Sequence, residues 1–152
     1  MSTINFATSI AAMNAMYKLP VSGRLTTFPG EAMNVRMEKF QSTLAKERME
    51  GRAIEVMATH GIGTNSDRLA ELADWLGNIV VYCYSEATKY GIPLDTVLAI
   101  IMRSNETKLG DDGKPIYDAN GKFCKGPNFK PPEPEIRQLF VALLALGENN
   151  AE

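Results

Sequence analysis

Two long stretches of the chain carry helical periodicity. Residues 33–57 read MNVRMEKFQSTLAKERMEGRAIEVM, and residues 69–90 read LAELADWLGNIVVYCYSEATKY. In the first stretch, apolar residues recur every three to four positions at Met37, Phe40 and Leu44, which is the period of one helix face. In the second, apolar residues surround nearly the whole helix, which is typical of a helix buried on two sides. The sequence therefore predicts a pair of long helices at the centre of the fold.

Shorter helical segments and one hairpin flank this pair. The predicted helices are residues 4–17, 29–51 with an extension to 57, 66–90, 93–109, and 134 onward. Side-chain caps are expected at Ser2 or Thr3, at Thr27, and at Ser66 or Asp67. The Asn120-Gly121 pair lies between KPIY and KFCK and is a hairpin signal. The predicted fold class is all-α: a bundle of four to five helices, about 60% helix, with a small appended β-hairpin.

The amino-acid composition is typical of a globular protein. The 152 residues are 45% hydrophobic and 22% charged, which predicts a single globular domain over residues 1–152. Sixteen Lys and Arg against eighteen Asp and Glu give a charge of −2, which argues against nucleic acid as a partner. Two cysteines without CxxC spacing and one histidine argue against zinc sites. The longest apolar run, residues 79–84, is too short to span a bilayer, and the N-terminus carries no signal-peptide pattern, so a cytoplasmic protein without a membrane partner is expected.

Four carboxylates fall on the two long helices at matched spacing. Glu47 continues the apolar stripe of the first helix, and Glu50 follows one turn later. Glu71 and Asp74 form a second pair, three residues apart, on the other helix. A buried carboxylate requires a counter-charge, and four hard oxygen donors suit Mg²⁺ or Mn²⁺. The alternative is that both pairs are solvated and face nearby arginines.

The predicted fourth helix ends in donors for anions. Its apolar stripe continues to Asn105 and Lys108, and the hairpin segment adds Lys114, Lys122 and Lys125. Carboxylates with a divalent metal, followed by amides and lysines, are the groups needed to hold a polyphosphate. The alternative reading is that these lysines are solvated loop charges.

These residues resemble the all-α nucleoside triphosphate pyrophosphohydrolases of the MazG-like group, which includes phosphoribosyl-ATP pyrophosphohydrolase. The family motif is EExxE followed, after a dozen to under thirty residues, by ExxD. The chain has KERME at residues 46–50, a gap of twenty residues, and ELAD at residues 71–74. Its segment SNETKLGDDGKPIYDANGKFCKGPNF, residues 104–129, is similar to the segment after the fourth helix in many phage and bacterial members. The likeness covers roughly residues 5 to 132, and Lys46 replaces the first Glu of the family motif.

The resemblance implies an activity and roles for particular residues. It implies hydrolysis of a nucleoside triphosphate to the monophosphate and pyrophosphate, in a dimer or a dimer of dimers. By position, the Mg²⁺ ligands and catalytic residues would be Glu47, Glu50, Glu71 and Asp74. Phosphates or sugar would be contacted by Asn105, Lys108 and Lys125, and Asn14 would read the base. Likeness to phage members favours a purine deoxynucleotide, dGTP or dATP, and leaves dUTP and dCTP open.

The same residues allow two other classes of function and predict an oligomer. A non-catalytic nucleotide-binding module is favoured by Lys46, and a purely structural helical dimer is a further alternative. The apolar residues on two sides of the helix over residues 66–90 predict a two-fold homo-oligomer, since a monomer would expose them. A tetramer is expected over a dimer, from the resemblance.

Overall fold

The computed structural model describes residues 4–149 and divides into two compact units at the Ile92–Pro93 junction. Five helices and one two-stranded antiparallel sheet form the described part, which is 65% helical. This confirms the predicted all-α class with one small hairpin. The single domain and the homo-oligomer stay predictions. No helix within residues 4–149 is long and apolar enough to cross a membrane.

The first unit contains three helices, α1 (Phe6–Met16), α2 (Met33–His60) and α3 (Asn65–Tyr90). Helix α3 packs against both α1 and α2. The α1 cap is Asn5, whose side chain accepts a hydrogen bond of 3.0 Å from the Thr8 amide. The alternatives Ser2 and Thr3 lie outside the described residues.

Helix α2 begins and ends later than its sequence pattern predicts. The expected start at Pro29 and the Thr27 cap are wrong: Gly30 has φ 84°, a left-handed conformation that interrupts a helix, and Ala32 precedes the first turn with no side-chain cap. The helix continues to His60, where Gly61 in the left-handed conformation ends it. It is therefore a 28-residue rod with Glu47 at its middle.

Helix α3 starts from a capping box. The Thr64 hydroxyl accepts from the Asp67 amide at 3.1 Å, and the Asp67 carboxylate accepts from the Thr64 amide at 2.7 Å. The expected cap at Ser66 or Asp67 is thus wrong by two or three residues, because Asp67 acts from the third position inside the helix. The predicted end at Gly91 is confirmed.

The apolar face of α3 is covered over only part of its length. A single chain does not bury this face as predicted, since Leu69 is 64% exposed and Leu76 and Val80 are each 50% exposed. Burial is concentrated from Ser85 onward, where α1 and the following loop pack. That loop is tied to the end of α3 by two backbone hydrogen bonds, from Ser22 to Thr88 and from Thr26 to Tyr90. The short α1 does not cover the first half of the 26-residue α3.

The second unit contains two helices and the hairpin, namely α4 (Leu94–Glu106), β1 (Ile116–Tyr117), β2 (Phe123–Cys124) and α5 (Glu133–Asn149). Helix α4 contacts α5 and ends three residues before the predicted boundary. The hairpin pairs Ile116 with Cys124, and Gly121 at φ 76° supplies the left-handed turn residue. The hairpin predicted from Asn120-Gly121 is confirmed.

Candidate functional site

Glu47 is a buried carboxylate with an unsatisfied oxygen. The residue is 5% exposed, as its place on the apolar stripe predicts, and its Oε2 atom is buried without a hydrogen-bond partner. Glu50, one turn further along α2, is exposed. A buried carboxylate oxygen without a partner is costly, so Glu47 is a candidate ligand for a group from outside the chain.

Trp75 fixes the level at which α3 docks on α2. Its indole Nε1 donates a hydrogen bond of 2.7 Å to the Glu47 carbonyl. A Cβ added at Gly51 would lie 2.7 Å from Cζ2 of the same ring, so the indole rests directly on the α2 backbone. This packing places Asp74, the neighbour of Trp75, at the same level of the helix pair as Glu47 and Gly51.

Tyr82 contacts the Glu47 carboxylate from α3. Burial raises the pKa of the Tyr82 hydroxyl, and the charge of Glu47, its hydrogen bond to the hydroxyl, and the charge of Glu50 raise it further. Tyr82 is not among the residues predicted from the sequence, although it lies two helical turns after Asp74 on the stripe that also carries Asn78. The spacing of four residues from Asp74 to Asn78 and from Asn78 to Tyr82 places all three on one helix face, which is the signal that points to Tyr82.

The second carboxylate pair lies on the exposed surface of α3. Glu71 and Asp74 are both exposed, and Asp74 accepts a hydrogen bond of 3.0 Å from the Asn78 amide. Among residues 4–149, no three His, Cys, Asp or Glu side chains lie close enough together to hold a metal ion. The all-oxygen donor set and the orphaned Glu47 oxygen fit a hard divalent cation, whereas the side-chain positions do not assemble three ligands.

A cavity of about 900 Å³ opens beside Glu47. Its wall carries Arg48 and Arg52 from α2, and Trp75 and Ile79 from α3. Arg52 pairs with Glu55 at 2.7 Å on the surface. The cavity thus combines a carboxylate, two guanidinium groups and an aromatic wall.

Asn14 is fully buried and hydrogen-bonded within the chain. Its Nδ2 donates to the Ser85 carbonyl at 3.1 Å and to the Pro20 carbonyl at 3.4 Å, and its Oδ1 accepts from the Ser85 hydroxyl at 2.7 Å. These bonds tie α1 to α3. The amide is thus engaged on both sides within the chain, and base reading by Asn14 stays a prediction.

In the second unit, Asn105, Lys108 and Lys125 lie close together. The Gly126 amide donates 2.8 Å to the Lys108 carbonyl, and a Cβ at Gly126 would lie 2.2 Å from the Leu109 carbonyl oxygen, so only glycine permits this approach. Both lysine Nζ atoms lie over the Phe129 ring, 5.9 Å from its centroid for Lys108 and 4.5 Å for Lys125.

Asn105 precedes this pair in the last turn of α4, and its carbonyl accepts from the Lys108 amide at 3.1 Å. Neither ammonium pairs with a carboxylate of the described chain. Two adjacent cations without counter-charges can hold a phosphate. The sequence did not indicate the role of Phe129, whose ring attracts both ammonium groups.

Comparison with known proteins supports the fold. No family model matches the chain, and no curated protein matches it. Solved structures do match, among them the crystal structure of a candidate NTP pyrophosphohydrolase from Exiguobacterium sp. 255-15. That protein is 16% identical in sequence, with a TM-score of 0.54 over 96% of this chain and 99% of the other. At this identity the likeness shows that the two chains share a fold.

Proposed function

We propose that this protein hydrolyses a nucleoside triphosphate to the monophosphate and pyrophosphate with Mg²⁺, for which Mn²⁺ can substitute. The observation that carries the proposal is the buried Glu47 carboxylate with its unpartnered oxygen. The shared fold with a candidate NTP pyrophosphohydrolase supports it. The substrate we favour is a purine deoxynucleotide, dGTP or dATP, with dUTP and dCTP as alternatives.

The cation would be held by Glu47, Glu50, Glu71 and Asp74. When bound, it supplies Lewis-acid activation of water and neutralisation of phosphate charge. Glu47 is the fixed member of this set, since Tyr82 and the Trp75 contact restrain it. The proposal requires the exposed side chains of the other three residues to turn toward Glu47 on binding.

Asn105, Lys108 and Lys125 would bind phosphate or sugar. The two lysines share the Phe129 ring and keep their ammonium protons available for phosphate oxygens. Lys108→Gln and Lys125→Gln should each raise KM for the triphosphate by at least about tenfold, since one charge-assisted hydrogen bond is worth about 1.5–3 kcal/mol. Lys114→Gln, in the exposed loop before β1, is the matched control and should leave KM unchanged.

The test is a panel of canonical dNTPs and NTPs with Mg²⁺ and with Mn²⁺, scored by chromatography. We expect a nucleoside monophosphate and pyrophosphate from at least one of them. In ¹⁸O-labelled water the label should enter the monophosphate, because attack at the α-phosphorus breaks the α–β bond. Release of orthophosphate with a diphosphate product would contradict the proposal.

A second candidate is a nucleotide-binding module without catalysis. The absence of three converging carboxylates in the described residues, together with Lys46 at the first motif position, favours it. Nucleotide binding with no turnover of any triphosphate in the same panel would select this candidate.

We further propose that the chain functions as a two-fold homo-oligomer, a tetramer rather than a dimer. The exposed apolar stripe of α3 supports self-association.

A further inference from the structure

The loop that follows β2 is fastened to the end of α4. The Gly126 amide donates to the Lys108 carbonyl at 2.8 Å. Further along the loop, the Lys130 amide donates to the Thr107 hydroxyl at 2.9 Å, and the Lys130 carbonyl accepts from the hydroxyl of buried Ser104 at 2.7 Å. The loop is therefore held at both of its ends against the residues that close α4.

This loop carries the half-buried ring of Phe129. Its amide donates to the Gly126 carbonyl at 3.2 Å, which closes a turn within the loop. The Nζ atom of Lys125 lies 4.5 Å from the ring centroid, and that of Lys108 lies 5.9 Å from it. Lys108 follows α4 and Lys125 follows β2, so a single ring gathers cations from two separate segments of the second unit.

The convergence of the two ammonium groups requires a cause. Like charges repel, and a solvated lysine has a flexible four-carbon stem that lets it move away. Among the described residues, no carboxylate pairs with Lys108 or Lys125 and could hold them together. The face of an aromatic ring attracts cations, and the attraction grows when the cation is partly desolvated, as half-buried Lys108 is. Phe129 is thus the group that offsets the repulsion.

A ring and a carboxylate hold a lysine with different consequences. A carboxylate neutralises the ammonium charge and occupies its protons, whereas a ring leaves the charge in place and the outward N–H donors available. A side chain that is already in position also loses less conformational freedom when a ligand binds. Two cations held in this way form a preformed site for an anion that carries more than one charge.

We propose, resting on the function proposed above, that Phe129 is a positioning residue for the phosphate groups of the substrate. Its ring holds the ammonium groups of Lys108 and Lys125 side by side before the triphosphate arrives. The two lysines contact the phosphates, and Phe129 acts only through them. The same site binds inorganic pyrophosphate in the absence of a metal.

The test is calorimetric titration of the full-length protein with inorganic pyrophosphate in EDTA. Phe129→Leu removes the ring face and keeps an apolar side chain, so the Kd should rise about fivefold or more, because both lysines must then be ordered on binding. Phe129→Tyr and Phe129→Trp keep a ring face and should stay within about twofold of the unsubstituted protein. The control Phe123→Leu makes the same change in a ring that packs against Tyr117, and it should leave the Kd unchanged.

A double-mutant comparison separates positioning from packing. In a Lys125→Gln background, adding Phe129→Leu should raise the Kd by no more than about twofold, because the nearer of the two cations is already gone. In turnover, Phe129→Leu should raise KM for the triphosphate by the same factor as the Kd and change kcat by less than about twofold.

A spectroscopic measurement does not depend on whether Phe129→Leu folds, which circular dichroism establishes. In the unsubstituted protein, the NMR signals of the ε-methylene protons of Lys108 and Lys125 should be shifted upfield by the ring current of Phe129. Pyrophosphate should shift the signals of both lysines further, since the anion binds on the outward side of each ammonium.

Each outcome bears on one proposal or the other. The positioning role is overturned by unchanged pyrophosphate affinity in Phe129→Leu, by an equal loss in the Lys125→Gln background, by failure of Phe129→Tyr to restore binding, by ordinary lysine ε-methylene signals, or by the absence of pyrophosphate binding. Hydrolysis of a triphosphate with unchanged KM in Phe129→Leu overturns this role while the proposed function stands. The expected binding pattern without hydrolysis of any triphosphate supports the role of Phe129 in anion binding and removes the catalytic function.

Discussion

Glu47 is a buried carboxylate, and one of its two oxygens has no hydrogen-bond partner. Tyr82 lies beside the carboxylate, and burial together with the carboxylate charge raises the pKa of the Tyr82 hydroxyl; Oε2 is the oxygen without a partner. A charge in this environment destabilises the fold unless a cation reaches it. Glu47 is therefore a residue at which stability and function are expected to oppose each other.

Removing the Glu47 charge should stabilise the fold. Without metal, we expect Glu47→Gln to raise the free energy of unfolding by at least about 1 kcal/mol, because it removes a buried charge whose Oε2 atom has no hydrogen-bond partner while keeping the shape. The measurement is urea denaturation in EDTA. Glu50→Gln, at an exposed site, is the control and should change it by less than about 0.5 kcal/mol. A destabilised Glu47→Gln would show that the carboxylate is satisfied within the chain.

Turnover should depend on the exposed carboxylates as well. Glu50→Gln and Asp74→Asn should abolish triphosphate hydrolysis at saturating Mg²⁺ while helix content stays nearly unchanged, because each removes ligand charge from a surface position. Chromatography and circular dichroism measure the two effects. Near-normal activity in either variant would refute the four-carboxylate assignment.

Glu86 should make stability depend on pH. Burial alone would raise the pKa of Glu86, but hydrogen bonds and charges from Arg36 and Lys89 outweigh burial and hold the pKa below its ordinary value of 4.5. A carboxyl with a lowered pKa in the folded state contributes stability above that ordinary value and loses it as the pH falls toward the folded-state pKa. The stability difference between the unsubstituted protein and Glu86→Gln should therefore shrink below about pH 4.5.

Urea denaturation from about pH 7 down to about pH 3 measures this difference. Glu135→Gln, in the exposed pair with Arg103, is the control and should cost no more than about 0.5 kcal/mol throughout. A Glu86→Gln effect that is constant over the whole range would contradict the ion cluster.

Among the elements, α2 and α3 are joined by the contact of Trp75 with Gly51. Glycine inside a helix costs about 1 kcal/mol relative to alanine, yet α2 carries it at its middle. The indole ring occupies the space that a Cβ would need. Gly51 therefore lowers the helix propensity of α2 but allows α3 to approach α2 closely near Glu47.

A pair of glycine substitutions tests this contact. Gly51→Ala should destabilise the protein by about 1–3 kcal/mol, because overpacking against Trp75 outweighs the gain in helix propensity. Gly77→Ala, in α3 with nothing within 4 Å of the added Cβ, should stabilise it by about 0.5–1 kcal/mol. Thermal and urea denaturation measure both. Stabilisation by both substitutions would show that the indole moves freely.

At the scale of the whole molecule, the α3 stripe of Leu69, Leu76 and Val80 is exposed to solvent. Exposed apolar side chains at helical spacing are typical of a surface that packs against another protein. We therefore expect Leu76→Glu to shift the protein from an oligomer to a monomer of 16.7 kDa. Light scattering measures the mass, and Ile62→Glu, at an exposed position in the α2–α3 turn, should leave it unchanged. A monomer at full specific activity before any substitution would remove the proposed self-association.

Local sequence patterns determined much of this fold. The helices, the hairpin at Asn120-Gly121 and the burial of Glu47 could be predicted because each depends on periodicity or turn chemistry within a few residues. Helix starts were predicted less well: Gly30 acts through its left-handed backbone conformation, and the Thr64–Asp67 capping box acts through side-chain hydrogen bonds that set the start two or three residues before the predicted cap.

Only the tertiary structure decided which side chains share a site. The Asn14 amide is hydrogen-bonded to Ser85, 71 residues away, a contact that no local pattern predicts. Tyr82 reaches Glu47 because α3 folds back antiparallel on α2, and Lys108 meets Lys125 over Phe129 because Gly126 permits a close backbone approach. Such contacts depend on how distant segments dock. The sequence by itself specifies the helices and the residues that carry chemistry, whereas long-range packing selects which of them meet.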